Sequence, residues 1–161
     1  MLAVTFSTIL SFATMSTILI FYSVLDCRDR TIPNQVIVLG LCAGLLIVTF
    51  SGHLLQYMEL HLISGVFMLT IGYILFRVGA FGGADMKTAL TISLVSPGLE
   101  FTSWGDPIIE AVLIAGLQLA FMMCGGYLYS KIKGVERERR VVPLIPFLLG
   151  AYLILQLFAL F

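Results

Sequence analysis

Residues 1–30 read MLAVTFSTILSFATMSTILIFYSVLDCRDR. Met1 to Leu25 carry no charge, and then Asp26, Arg28, Asp29 and Arg30 arrive together. A membrane helix needs about 20 mostly apolar residues to cross the hydrocarbon, and this run exceeds that before it meets a polar border. It lacks a basic n-region and is longer than the apolar stretch of about 7–15 residues in a cleavable signal. The sequence therefore predicts a retained first span.

The pattern recurs along the chain. Val36–Leu55 is uncharged and Leu62–Phe76 is apolar. Met86 to about Val95 is a shorter apolar run, followed by Pro97 and Gly98. Ile108–Tyr129 has only Glu110 near its start, and Val141–Phe161 is uncharged. This predicts an all-α, polytopic membrane protein with six transmembrane helices, the fourth being the shortest. Six spans use about 120 residues, so a single membrane-embedded domain over residues 1–161 is expected. Composition agrees: 60% of residues are hydrophobic and 11% charged, against about 25% charged in a soluble domain. Mean hydropathy is +1.06. A small core cannot hide that much apolar surface, so the expected surroundings are a lipid bilayer. Nine basic and nine acidic residues cancel, which argues against a nucleic-acid partner drawn by a strong positive field.

The basic residues orient the spans. Arg28 and Arg30 follow span 1, and Arg77 and Lys87 flank the loop between spans 3 and 4. Lys131, Lys133, Arg137, Arg139 and Arg140 lie between spans 5 and 6. The alternate loops, Ser51–His61 and Ser96–Pro107, have no Lys or Arg. The positive-inside rule then puts loops 1, 3 and 5 in the cytoplasm and both termini outside. The stretch KIKGVERERR reads as an anchor to anionic lipid.

This topology sorts the acids. Glu59, Glu100, Asp106 and Glu110 fall outside, and Asp26, Asp29, Asp85, Glu136 and Glu138 fall inside. Asp26 ends span 1 and Asp85 opens span 4 behind Gly82-Gly83-Ala84. Ionisable groups at such borders are costly and point to function. Taken alone, Asp26 also fits a polar turn before Pro33, and Asp85 fits an N-cap. Two helix-end aspartates on one membrane face suit an acid–base pair, and the glycines permit close backbone approach and unusual dihedrals.

These residues carry a family resemblance. Asp-x-Arg-x-Arg-x-Ile-Pro-Asn at 26–34 resembles the first aspartate motif of the type IV prepilin peptidase family. Gly82-Gly83-Ala84-Asp85-Met86-Lys87 resembles its GxGD-like second motif, in the Ala-containing form common in archaeal members. Val142-Pro143-Leu144-Ile145-Pro146-Phe147-Leu148 resembles the proline-rich segment that opens its last helix. The resemblance implies an intramembrane aspartic endopeptidase that cuts prepilin or preflagellin (archaellin) precursors on the cytoplasmic side of the plasma membrane. Cleavage would fall before the substrate's apolar helix, after a small residue such as Gly. It implies Asp26 and Asp85 as the catalytic pair. Arg28, Arg30, Pro33, Asn34, Gly82, Gly83, Ala84, Lys87, Pro143 and Pro146 would be supporting motif residues, with no cofactor or metal. Asp29 lies in the first motif but outside its catalytic position.

Long bacterial members carry paired CxxC motifs and also N-methylate the product. Here Cys27, Cys42 and Cys124 are scattered and form no zinc pattern, so N-methylation is expected to be absent.

Two adjacent carboxylates cannot both ionise cheaply, so they share a proton and supply both acid and base. Helix dipoles assign the charge to Asp85, with Lys87 reinforcing it, and the proton to Asp26. Pro143 and Pro146 shape the cytoplasmic mouth or mark a helix start. His53 and His61 read as interfacial polar residues, because no third ligand is spaced with them. Trp104 reads as an outer interfacial anchor. The competing function is a small transporter or proton pathway using the cytoplasmic-side aspartates.

Overall fold

The computed structural model describes residues 4–102, 105–132 and 142–158. Among them the chain is helical, in the order α1 (Phe6–Asp29), α2 (Asn34–Phe50), α3 (His53–Gln56), α4 (Met58–Arg77), α5 (Gly83–Val95), α6 (Pro107–Ile132) and α7 (Ile145–Phe158). The expected Trp104 anchor and most of the basic loop, from Lys133 through Arg140, lie outside the described residues.

Local sequence sets the ends of α1. Thr5 accepts from the Thr8 N–H at 3.3 Å, and Thr8 Oγ1 accepts from the Thr5 N–H at 2.9 Å. This reciprocal box satisfies donors that the first turn leaves free. At the other end Arg30 adopts φ +53° and its N–H closes on the Asp26 carbonyl at 3.1 Å. A left-handed residue stops a helix, so Asp26 is held in the last turn of α1.

Helices α1, α4 and α6 are long and apolar enough to cross a membrane. Three of the six expected spans meet that measure; α2 and α7 are shorter apolar helices, and α5 has 13 residues. The stretch Ser51–His61, expected as a loop, is largely helical: it contains α3, and α4 starts at Met58 rather than near Leu62.

Helix α5 is short because it is an inner element. Thr88, Ala89, Thr91, Ile92, Ser93 and Val95 are all buried. Small residues on its neighbours let it in: a Cβ on Gly44 of α2 would lie 2.7 Å from Val95, and one on Gly65 of α4 3.0 Å from Leu94. Close approach through small residues is the usual means of association where no hydrophobic force acts between helices. The outer faces carry exposed Phe6, Leu39, Phe50, Val66, Val78 and Ile132. That apolar exterior fits a protein surrounded by lipid.

Candidate active site

The two motif aspartates come from different helices and are both buried, Asp26 at 6% and Asp85 at 8% exposure. Asp26 closes α1, and Asp85 is in the first turn of α5. A third element joins them: Oδ2 of Asp26 accepts from the N–H of Ile145, the first residue of α7, at 3.2 Å. Ile145 packs in a cluster with Tyr22, Ile32 and Ile37, and Ala84, the residue before Asp85, packs against that same cluster. The three sequence motifs therefore meet at one end of the bundle.

Asp85 is not the N-cap the sequence suggested. Gly82 holds the cap position, and Asp85 reaches back from the third helical residue so that its Oδ2 accepts from the Gly82 N–H at 3.0 Å. Gly82 serves by space, and neither glycine of the pair adopts an unusual dihedral. A Cβ on Gly82 would stand 2.9 Å from Asp85 Oδ2, whereas φ is positive at Gly79 and not at Gly82 or Gly83.

Lys87 does not pair with Asp85. Its ammonium donates to Asn34 Oδ1 at 2.7 Å, which ties the second motif to the first across the mouth. Pro33 caps α2 and is exposed beside Asn34. Arg28 and Arg30 are exposed, and Arg28 lies 3.6 Å from the exposed Asp29. None of these three supplies a contact to either buried carboxylate.

Pro146 is the second residue of α7, where its missing N–H costs nothing. Pro143 precedes the helix. Both prolines lack an N–H, so the donors between them are the amides of Leu144 and Ile145, and the carboxylate uses that of Ile145. Asp26 thus accepts from the N-terminus of α7, and Asp85 from the cap residue at the N-terminus of α5. The dipole argument that separated the two carboxylates no longer does, because each now faces a helix N-terminus.

The family then follows from the whole chain. A family model for the type IV leader peptidase family matches residues 13–160. The chain belongs to that family. The match includes all three motifs. No curated protein and no solved structure matches the chain. As a leader peptidase by family, it acts on a precursor protein.

The opposite end holds a polar network that no local pattern announced. His53 and His61, expected at the interface, are both buried at 2% exposure. His61 Nδ1 lies 2.9 Å from the Leu94 carbonyl, its Nε2 lies 3.1 Å from His53 Nδ1, and His53 Nε2 lies 2.9 Å from Glu100 Oε2. A carbonyl can only accept, so His61 carries its proton on Nδ1 and, when neutral, accepts from His53. Glu100 also accepts from Ser11 and Ser96, and Ser96 bonds the Tyr152 hydroxyl. Gln156 accepts from the Glu100 N–H and donates to the Gly98 carbonyl, each at 2.9 Å. A cavity of about 400 Å³ opens beside this network, lined by His53, Tyr57, Glu59, Glu100 and Glu110 among others. Burial, together with the charges of Glu100 and Glu110, pushes the Tyr57 hydroxyl above its ordinary value. Met15, Leu19, Ile92 and Leu148 fill the core between this end and the aspartates.

Proposed function

We propose that this protein is a membrane aspartic endopeptidase that removes the leader of prepilin-like or preflagellin precursors without N-methylating the product. The observation that carries the reading is the convergence of two buried carboxylates from separate helices, Asp26 and Asp85, at one end of the bundle. Hydrolysis of an amide needs a base to take a proton from water and an acid to protonate the leaving nitrogen. A carboxylate pair sharing one proton supplies both. Water adds to the scissile carbonyl carbon as one carboxylate takes its proton. The C–N bond then breaks as the other carboxyl gives its proton to nitrogen.

Arg28, Arg30 and Lys87 stand at the same end as the pair, and Glu59, Glu100 and Glu110 at the other. That charge partition supports six spans with the aspartates at the cytoplasmic face of the plasma membrane and both termini outside. The buried hydroxyls of α5 between the aspartates and the histidine network form no relay among the described residues, since Thr91 and Ser93 donate to their own helix and Thr88 has no partner; this favours a peptidase over a proton pathway. The short first loop and the scattered, exposed Cys27, Cys42 and Cys124 support the absence of the methylating function.

The test is cleavage of a precursor bearing a basic leader and an apolar helix by the purified protein in lipid. A shortened product that disappears in both Asp26→Asn and Asp85→Asn is expected. Cleavage that survives either change sinks the assignment, as does ion conductance without any cleavage.

A further inference from the structure

Hydroxyls on the helices of this chain usually return to their own backbone. Thr17, Thr49, Thr70 and Thr91 each donate to the carbonyl four residues back, at 2.7–2.9 Å. Ser93 donates three residues back at 2.8 Å. Ser23 and Thr88 break this habit. Both are more than nine-tenths buried, at 8% and 0% exposure, and neither hydroxyl has a partner among the described residues. Ser16, Ser64 and Gln118 are also unsatisfied, but none of them stands one turn from an aspartate.

The positions of Ser23 and Thr88 are specific. Ser23 lies three residues before Asp26 on α1, and Thr88 lies three after Asp85 on α5. Residues three apart share a helix face, with Cβ atoms about 5–6 Å apart. Helix α1 ends at the carboxylates and α5 begins there. Each hydroxyl is therefore one turn deeper in the bundle than the carboxylate on its own helix. A buried hydroxyl without a partner costs free energy that Ala or Val would avoid. Thr91 bonds its own backbone one turn further on, so the local geometry does not forbid such a bond.

We infer that Ser23 and Thr88 bind the substrate's main chain beside the scissile amide; this rests on the peptidase reading above. An apolar substrate helix shields its amides in its own hydrogen bonds, so it must open before it can be cut. Opening frees N–H and C=O groups at a depth where water is scarce, and each then needs a partner. A hydroxyl both donates and accepts and so serves either group. The ligand class is an extended peptide recognised through its backbone, which leaves the side chains around the cut free to vary.

The experiment uses the whole protein in lipid vesicles. The probe is a peptide with a basic leader ending in Gly, followed by an apolar helix of about 20 residues. Ser23→Ala and Thr88→Val should each lower kcat/KM about tenfold, the loss of one hydrogen bond, and Thr88→Ser should recover most of it. Neither Ser23→Ala nor Thr88→Val should lower Tm, since each removes an unsatisfied buried group. Wild-type kcat/KM in both variants, with Asp26→Asn and Asp85→Asn inactive, overturns this inference and leaves the dyad standing. A lowered Tm in Thr88→Val also overturns it, because the hydroxyl then has a structural partner. Cleavage persisting in Asp26→Asn overturns the peptidase reading itself.

Discussion

The N–H of Ile145 reaches the Asp26 carboxylate across 119 positions of sequence, at 3.2 Å. That bond fixes Oδ2 of the carboxylate against the start of α7. It depends on where α7 begins, and the start of α7 is seated on α6. Gly125 and Gly126 present no side chain there. A Cβ on Gly125 would stand 2.5 Å from Cδ1 and 3.0 Å from Cβ of Phe147. On Gly126 it would run into the Leu144 side chain.

Gly125→Ala should therefore push the start of α7 away. Because the Cβ of Phe147 is involved, rotating its ring cannot relieve the clash. Overpacking of this kind costs about 1–3 kcal/mol, and cleavage should fall with it as the Ile145 amide leaves Asp26. Gly116→Ala and Gly150→Ala are the controls: both glycines are helical, and a Cβ on either meets nothing within 4 Å. Each should keep full activity and gain up to about 1 kcal/mol from reduced backbone freedom. Thermal unfolding and precursor cleavage on the same preparations check both halves.

The Lys87–Asn34 bond links the two aspartate motifs on an exposed surface. Exposed pairs add little to stability, so Lys87→Met and Asn34→Ala should leave Tm nearly unchanged. If the bond holds the two motifs in register, each change should lower kcat/KM several-fold and the double variant should be no worse than either single one. Contacting residues show such non-additivity and independent ones do not. Additive losses in a double-mutant cycle would show that the two side chains act separately.

The parts of the site that could be read beforehand were short and local. Asp26 with Pro33 and Asn34, and Gly82-Gly83-Ala84-Asp85 with Lys87, are contiguous patterns whose residue types already imply a border between helix and polar turn. Charge-free runs long enough for lipid gave the all-helical class for the same reason. What adjacency does not encode was missed. The Ile145 amide on Asp26 is a backbone group, and any residue except proline would display the same N–H. The partner of Lys87 was misassigned because sequence proximity favoured Asp85, whereas Asn34 is 53 positions away. His53 and His61 read as interfacial groups, and Glu100 only as an acid of the outer side; their joint burial rests on contacts 33 to 47 positions long.

The rate of cleavage should be bell-shaped in pH. Below the first titration step both carboxyls are protonated and no base remains. Above the second both are ionised and no acid remains. The two steps belong to the pair and not to either residue. Replacing one aspartate should not leave half of the bell at reduced height, because members of a catalytic unit are not additive. A rate that climbs steadily into alkaline pH, with the protein intact by Tm, would count against a shared proton.

The histidine network should matter for folding and not for chemistry. Glu100 is 4% exposed, accepts from Ser11 and Ser96, and lies 2.9 Å from His53 Nε2. Glu100→Ala takes a partner from all three, although Ser11 keeps the Val95 carbonyl and Ser96 the Tyr152 hydroxyl, and should cost about 1–3 kcal/mol, the penalty for leaving a buried polar group unsatisfied. Glu100→Gln keeps the shape and one acceptor oxygen, so it should cost less. Met15, Leu19 and Leu148 lie in the core between these groups and the aspartates, and Thr91, a buried hydroxyl of α5 between them, donates to its own helix and not to the network. The folded fraction of either variant should therefore cleave precursor with an unchanged kcat and an unchanged pH profile. A displaced profile in Glu100→Gln would mean that the two ends of the bundle exchange protons after all, and would revive the proton-pathway reading.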